Sequence, residues 1–389
     1  MALRLADTEV AFRSKSDADL RRADWMFRAF AHPWLVKAGT RSLRAALALH
    51  LPVEGLVKAT MFRQFCGGQT IAECAPVIAA LWANKVGTIL DVADEGREGE
   101  AESDATMAEV ERTIELAKGN PAIPFCVFKL SGLARVALLE KLDAGQVLDE
   151  AERGEWARAR GRVERLCALA QASGVRILID AEESWIQDTI DALATEMMAR
   201  FNREAAVVYN TIQLYRRTGL ALVHESHRQA TEGGYWLGLK LVRGAYMEKE
   251  RARAAERGAE DPILPDKAAA DASYDEALRY CVQNLARIAV VAGTHNERST
   301  VLLTELMEQH GIRRDDPRVC FSQLLGMSDH LTFNLAAAGY NVCKYVPYGP
   351  VRAVVPYLTR RAEENTSIRG QVGRERALLH QERRRRRSL

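Results

Sequence analysis

The 389-residue sequence lacks the motifs of several large classes of protein. Its seven cysteines are odd in number and none forms a C-x-x-C pair, so neither a disulfide framework nor a zinc ribbon is indicated. No G-x-G-x-x-G follows a strand-like run and no G-x-x-x-x-G-K-[ST] occurs, which argues against a Rossmann site and a P-loop. No H-E-x-x-H pair is present to hold a metal, and we expect none to be bound.

Net charge is also nearly absent, because 54 Lys and Arg residues are offset by 52 Asp and Glu residues. A net charge of +2 creates no global field for nucleic acid, so we expect no nucleic-acid partner. The start has no secretory apolar core, and no apolar run is long enough to span a bilayer. These absences predict a cytoplasmic protein. Peripheral contact with the inner face of a membrane stays open through the basic run 383–387.

The sequence does contain a long alternation of strand-like and helix-like segments. Strand-like runs occur at 85–90, 125–130, 175–180, 206–215, 236–244, 288–295, 318–326 and 340–347. Strands that alternate with helices predict a parallel sheet. Eight such units over roughly 300 residues match the size of a closed barrel better than an open sheet. The predicted fold class is therefore α/β, a (βα)8 TIM-like barrel with a helical segment before it.

This alternation divides the chain into three predicted regions. Residues 1–84 form an N-terminal helical arm, and residues 85–374 form the (βα)8 barrel as the catalytic domain. Residues 375–389 form a basic C-terminal tail that includes five consecutive arginines, Arg383 to Arg387. A run of like charges is typical of a disordered, solvated end, and we expect that here.

Polar residues end or follow every predicted strand, which is where a barrel of this kind places its chemistry. A lysine inside the buried run "FCVFKLSG", Lys129, costs desolvation free energy unless a partner meets it. Polar ends on all eight strands predict a large polar ligand at the mouth of the barrel. These residues are Glu95, Lys129, Asp180, Glu182, Gln213, Lys240, Arg243, Thr294, His295, Gln323 and Tyr345.

Three of these segments can each be interpreted in two ways. "LVRGAYMEKE" at 241–250 suits contact with a phosphate or flavin, or is an ordinary loop glycine beside a solvated arginine. "AGTHNERS" at 292–299 ends a strand and opens a helix that could hold an anion, while Asn296 is also a natural helix cap. Asp180 and Glu182, two apart, suit a metal or an acid–base pair, or else cap the next helix.

The segment "KYVPYGPVRAVVPYLTRRAEENTS" at 344–367 places two arginines on one helix. Side chains three and four apart share a helix face, so Tyr357, Arg360, Arg361 and Glu364 lie together. One interpretation is a solvated face with an ion pair. The other is a carboxylate-binding fork of two guanidiniums, with Glu364 holding one of them.

Four segments in their order resemble the proline dehydrogenase family: "GLKLVRGAYMEKERARAAERGAEDPI", "THNERS", "FSQLLGMSD" and "CKYVPYGPVRAVVPYLTRRAEEN". The resemblance covers about residues 85–370 and is nearest to the monofunctional, eukaryotic (mitochondrial) branch. It implies a distorted β/α barrel that binds FAD and oxidises L-proline to Δ1-pyrroline-5-carboxylate by hydride transfer, the first step of proline catabolism. It further implies a quinone as electron acceptor. No aldehyde dehydrogenase domain follows, so a separate pyrroline-5-carboxylate dehydrogenase is expected downstream.

The resemblance also implies roles for particular residues. The catalytic set at the junction of flavin and substrate is Lys129, Asp180 and Tyr345. The substrate-binding set is Arg360, Arg361, Glu364, Tyr345, Tyr357, Leu324 and Lys129. The cofactor-binding set is Gln213, Lys240, Arg243, Gly244, Ala245, Tyr246, Thr294 and His295. A gate ion pair is expected between Glu95 and Lys240, although Lys240 stands where many bacterial relatives carry arginine.

Other functions remain open beside this one. The same chemistry could act on 4-hydroxyproline, although a bulky Tyr345 leaves little room for a ring hydroxyl. A phosphate-binding barrel lyase could use Lys129 as a Schiff base, since a strand-borne lysine suits that role. A non-catalytic barrel scaffold is the third class, and the polar strand ends argue against it.

Overall fold

Eight parallel strands close into a barrel in the part of the chain that the structure describes. The computed structural model describes residues 3–49, 51–93, 99–367 and 369–388; the side chains of residues 33, 44, 45, 47, 48 and 363–371 are not described. The strands are β1 (Val86–Val92), β2 (Phe125–Phe128), β3 (Arg176–Ile179), β4 (Val208–Gln213), β5 (Leu237–Val242), β6 (Ile288–Gly293), β7 (Val319–Leu324) and β8 (Val342–Tyr348).

Each strand pairs in parallel with its neighbour in sequence, and β1 closes the barrel on β8 with Ile89 opposite Tyr345. Nearly every strand residue is buried, as expected for parallel strands that are covered on both faces. The predicted (βα)8 barrel and all eight predicted strands are therefore confirmed, with shifts of a few residues at their ends.

The helices surround this barrel and precede it. In chain order they are α1 (Thr8–Phe12), α2 (Asp17–Phe30), α3 (Pro33–Ala48), α4 (Glu54–Val57), a π-helical turn (Lys58–Phe62), α5 (Arg63–Phe65), α6 (Ile71–Trp82), α7 (Glu100–Ala117), a 3-10 turn (Leu130–Gly132), α8 (Val136–Asp143), α9 (Glu150–Ser173), α10 (Ser184–Phe201), α11 (Gly219–Gly233), α12 (Met247–Arg257), α13 (Lys267–Gln283), α14 (Glu297–Gln309), α15 (Asp329–Ala337), α16 (Val351–Ser367) and α17 (Arg369–Arg387).

The helix after β8 departs from a regular barrel. Helix α6, which precedes β1, packs against β1 and β8 on the outside of the barrel. Helix α16 instead packs mainly against α2, α3, α17 and the π-helical turn, and its apolar residues share a core with those of the terminal helices. Helix α6 thus occupies the outer side of β8. Helix α16 lies elsewhere, with its polar face towards the strand ends.

The basic C-terminal segment is a helix, so the expectation of a disordered, solvated end was wrong. Helix α17 packs against α1 and α2. Its Glu382 is fully buried and pairs with Arg385 and Arg386 of the same helix. Asp24 of α2 accepts a hydrogen bond from His380 over 2.9 Å. Carboxylates on both sides thus neutralise the arginine-rich helix.

None of the described helices is long and apolar enough to cross a membrane.

Candidate active site

Two lysines and two aspartates meet inside the barrel mouth, together with a tyrosine. Lys240 Nζ pairs with Asp180 Oδ1 and donates to the Tyr345 hydroxyl over 2.6 Å. The same hydroxyl donates to Asp180 Oδ1 over 2.9 Å. Lys129 Nζ lies 3.2 Å from Asp91 Oδ1 and 3.8 Å from Asp180 Oδ2. The structure therefore brings together the predicted residues Lys129 and Asp180, which directly follow β2 and β3, and Lys240 and Tyr345, which lie within β5 and β8.

The cluster is balanced in charge but deeply buried. Burial lowers the pKa of Lys240, and the neighbouring Asp180 carboxylate opposes that shift. Burial, reinforced by the negative charges of Asp180 and Asp91, raises the pKa of Tyr345 well above its usual value. The tyrosine is therefore a neutral hydrogen-bond donor across the physiological range. Lys240 Nζ also lies 4.5 Å from the centre of the Tyr345 ring.

Asp91 is the member of this cluster that the sequence analysis missed. It lies within β1 and is 7% exposed, and its carboxylate meets Lys129. The available signal was a charged residue inside the apolar run "TILDVAD", the same signal that drew attention to Lys129.

Glu182 does not join Asp180, although one interpretation of the sequence made the two a metal site or an acid–base pair. The Glu182 carboxylate accepts from the Ser131 backbone N–H over 2.9 Å and from the Ser131 hydroxyl. Burial raises the pKa of Glu182 to about 7, and the bonds from Ser131 oppose that shift. The two carboxyls therefore have separate partners. Among the described residues, no group of three or more His, Cys, Asp or Glu side chains could hold a metal.

The two arginines of α16 are directed towards the same end of the barrel. Arg361 is 7% exposed, and its guanidinium carbon lies 5.2 Å from the centre of the Tyr357 ring. The guanidinium carbon of Arg360 lies 5.7 Å from the Tyr246 ring, which follows β5. Burial, with the positive charges of Lys344 and Arg361, lowers the pKa of His295 to about 3. Arg361 therefore lies near the end of β6.

Leu324 connects the two apolar regions around these charges. It packs both against the barrel-interior cluster that contains Tyr345 and against the terminal-helix cluster that contains Tyr357. Tyr345, Tyr357 and Leu324 of the predicted substrate-binding set therefore lie along one contiguous apolar surface.

Two residues of the predicted cofactor-binding set, Gln213 and Arg243, differ in whether they have polar groups left for a ligand. Gln213, at the end of β4, donates from Nε2 to the Glu182 carbonyl over 3.1 Å, while its buried Oε1 has no hydrogen-bond partner among the described residues. Such an acceptor suits a ligand with an N–H group. Arg243 is instead held within the protein, by Asp271 at 2.7 Å and the Thr294 hydroxyl at 2.7 Å.

The remaining cofactor candidates lie at the ends of β5 and β6. Gly244 has φ +141°, and a Cβ there would collide with the Tyr215 ring. The close approach of this ring is therefore enough to require glycine at position 244. Ala245 is exposed and Tyr246 is half-buried. His295 Nδ1 is 2.9 Å from the Ser328 hydroxyl. Asn296 caps α14, as one of its two interpretations required.

The predicted gate ion pair and the predicted Arg360–Glu364 contact lie outside the described residues, because Glu95 and the side chain of Glu364 are not described. Lys240, the other half of the gate, is 5% exposed and engaged with Asp180 and Tyr345 inside the barrel.

A closed parallel barrel with a buried ionic cluster at its strand ends and a pair of arginines near that end has the architecture of a (βα)8-barrel enzyme. The sequence profile of the proline dehydrogenase family matches residues 74–374. The chain belongs to this family and is one of its enzymes.

Three named relatives are similar to this chain in sequence. The carbapenem antibiotics biosynthesis protein CarD of Pectobacterium carotovorum is 36% identical over 319 residues, which are 82% of this chain and 82% of that protein. Human mitochondrial proline dehydrogenase 1 is 43% identical over 233 residues, 59% of this chain and 39% of the human protein. Hydroxyproline dehydrogenase of Xenopus laevis is 31% identical over 423 residues, 99% of this chain and 90% of that protein.

A solved structure of proline utilization A from Bdellovibrio bacteriovorus, inactivated by N-propargylglycine, shares the fold with a TM-score of 0.73 and 22% identity. The similarity covers 84% of this chain and 36% of that chain. This chain thus spans about a third of that solved protein and, in its match, two fifths of the human relative.

Proposed function

We propose that this protein oxidises L-proline to Δ1-pyrroline-5-carboxylate with bound FAD and passes the electrons to a quinone. Residues 85–374 would form the catalytic domain, with residues 1–84 and 375–389 as attached segments. The observation that carries the proposal is Arg361, a buried guanidinium that lies beside Tyr357 and near His295. A buried cation at a barrel mouth requires an anionic partner, and a substrate carboxylate would add one to those the protein supplies.

Binding would rest on the carboxylate. Arg360 and Arg361 offer planar guanidiniums that can hold the two carboxylate oxygens with charge-assisted hydrogen bonds. Glu364 would limit the repulsion between the arginines and fix the rotamer of the first. Both arginines lie within residues 74–374, which match the proline dehydrogenase profile, and this supports the assignment.

The ring would lie between apolar walls. Tyr345, Tyr357 and Leu324 present aromatic and aliphatic surface of the size that a five-membered ring needs. Lys240 and Asp180 both hydrogen-bond the Tyr345 hydroxyl, so this wall is held in place when the ring enters.

FAD would supply the redox chemistry by accepting a hydride from the ring carbon bonded to the nitrogen, while the nitrogen gives up a proton. Gln213, whose buried Oε1 has no hydrogen-bond partner in the described part of the chain, fits a residue that binds a flavin N–H. Lys240, Thr294, His295 and the 243–246 turn would complete the site. Arg243, already bonded to Asp271 and Thr294, would act by fixing that turn. Because the substrate amine must be neutral to be oxidised, the rate should rise with pH.

A visible spectrum of the purified protein, recorded anaerobically while L-proline is added, tests the proposal. We expect a flavin spectrum that is bleached by proline and restored by a quinone. A protein that stays colourless after incubation with FAD would overturn the proposal. Sodium borohydride trapping of a substrate on Lys129, without bleaching, would favour the barrel lyase instead.

Oxidation of 4-hydroxyproline is the second candidate, favoured by the similarity to a hydroxyproline dehydrogenase. Tyr345 argues against it, since its hydroxyl is fixed by Asp180 and Lys240 where a ring hydroxyl would need space. Comparison of kcat/KM for the two substrates separates them. Preference for hydroxyproline would reverse the choice, and Tyr345→Ser should shift the preference in that direction.

Delivery of electrons to a membrane quinone would need a surface for the bilayer, and the N-terminal helices offer one. Trp25, Trp34, Leu49 and Leu56 are each more than 60% exposed. Residues 20–63 carry eight Lys or Arg and only two Asp or Glu, which suits anionic lipid. We propose peripheral contact of a cytoplasmic protein through this surface. Sedimentation with anionic vesicles tests it, and Trp34→Ser should weaken the binding.

The product, pyrroline-5-carboxylate, would pass to a separate dehydrogenase.

A further inference from the structure

The loop that carries Leu324 is held by a buried lysine of β8, on the face of that strand opposite to Tyr345 and towards α15. Residues 324–328, here called the β7–α15 loop, connect those two elements. Lys344 of β8 is fully buried, donates to the Leu324 carbonyl over 3.2 Å and donates to the Met327 carbonyl. Its charge is balanced by Asp329 Oδ1 at 3.0 Å. A buried ammonium with two backbone acceptors fixes both ends of a short loop.

Helices near both ends of the chain hold the same loop through further contacts. Gln64 of α5 donates to the Gly326 carbonyl over 2.9 Å, and a Cβ on Gly326 (φ +78°) would collide with the Gln64 backbone. Glu375 of α17 accepts from the Ser328 backbone N–H over 2.6 Å. Ser328 has φ +50°, a strained conformation for a residue with a side chain, which persists only where its surroundings impose it.

We propose that Lys344 and Gln64 are positioning residues for substrate binding, because they fix the backbone that places Leu324 between Tyr345 and Tyr357. The inference rests on the proposed function, since Leu324 matters only if a ring binds against it. It gives the N-terminal helices and α17 a role in substrate binding. They support the wall of the site, although they contribute no residue to the barrel.

Gln64→Ala is the main test, because it removes one hydrogen bond and leaves no buried charge. Arg63→Ala, an exposed neighbour on the same short helix, is its matched control. We expect Gln64→Ala to raise KM for L-proline by about three- to tenfold with kcat within about twofold, the size of one lost hydrogen bond. Hydrogen exchange of the amides of residues 324–329 should become faster, and Arg63→Ala should change neither quantity.

Lys344→Met combined with Asp329→Asn removes the bonds from Lys344 to the loop without leaving an unpaired buried carboxylate, and it should shift KM and loop exchange in the same direction as Gln64→Ala. Faster loop exchange without a change in KM would overturn the inference while leaving the proposed function in place. Unaltered exchange in both variants would also overturn it. An unmodified protein that does not oxidise proline would overturn the proposed function, and the inference with it.

Discussion

Buried lysines on barrel strands or at their ends need carboxylates near them, and in each case another element of this chain supplies one. Lys129 meets Asp91, Lys240 meets Asp180, and Lys344 meets Asp329. Each pair joins different strands or helices, so the carboxylate cannot be found from the local sequence around the lysine. The sequence could therefore predict that Lys129 needs a partner but could not identify Asp91.

Removal of one charge from the central cluster should destabilise the folded protein. Lys240→Met would leave Asp180 with Lys129 at 3.8 Å and the Tyr345 hydroxyl as its remaining partners. We expect the free energy of unfolding to fall by about 3–5 kcal/mol, as for other buried pairs that lose one member. Urea unfolding measures this. Lys240→Arg is the control that keeps the charge, and a loss below about 1 kcal/mol in Lys240→Met would mean that the pair is not buried as described.

Glu182 should make the folded protein less stable as the pH rises. Its pKa is about 7 in the folded state and near 4.5 in the unfolded chain. Between these values the folded protein keeps a proton that the unfolded chain has released, so the free energy of unfolding decreases with increasing pH. Glu182→Gln should remove up to about 3 kcal/mol of that decrease between pH 4.5 and 7.

Unfolding measured across this pH range tests the Glu182 prediction, with exposed Glu204→Gln as the control. A Glu182→Gln profile parallel to that of the unmodified protein would contradict it.

The strands could be predicted at the scale of elements, while the termini could not. Eight buried apolar runs separated by helical segments leave a barrel as the natural arrangement, and each run became a strand. The C-terminal arginines form a helix because their partners are distant: Asp24 and His380 are 356 residues apart in sequence. A run of positive charge in the sequence does not reveal that a buried carboxylate, distant in the chain, pairs with it.

Docking of α17 should depend on Asp24, which is 4% exposed. Its carboxylate accepts from His380 at 2.9 Å and from Arg383 at 3.2 Å. Asp24→Asn should lower the free energy of unfolding by about 1.5–3 kcal/mol, the usual value for hydrogen bonds to a charged group, and should speed tryptic cleavage within α17. Asp17→Asn, which changes a 63% exposed carboxylate paired with Arg386, is the control. Equal cleavage of both variants would show that Asp24 does not hold α17.

At the scale of the whole molecule, the two ends of the chain return to the same face of the barrel. Helices α2, α3, α16 and α17 share one apolar core, and α16 carries the arginine pair. The order of the motifs in the sequence could predict that Arg360 and Arg361 belong to the site. The support beneath them could not be predicted, because it comes from contacts between the first 65 residues and the last 40.

The central claim is that Arg361 holds the carboxylate of a ring that lies against a flavin. The most direct measurement is an anaerobic titration of the flavin absorbance with L-proline in the unmodified protein and in Arg361→Met. Arg352→Met serves as the control, since Arg352 is an exposed residue of the same helix. We expect Arg361→Met to need at least about 30-fold more proline for half-bleaching, equivalent to roughly 2 kcal/mol, with no shift in the control. Half-bleaching of both variants at the same proline concentration would contradict the account.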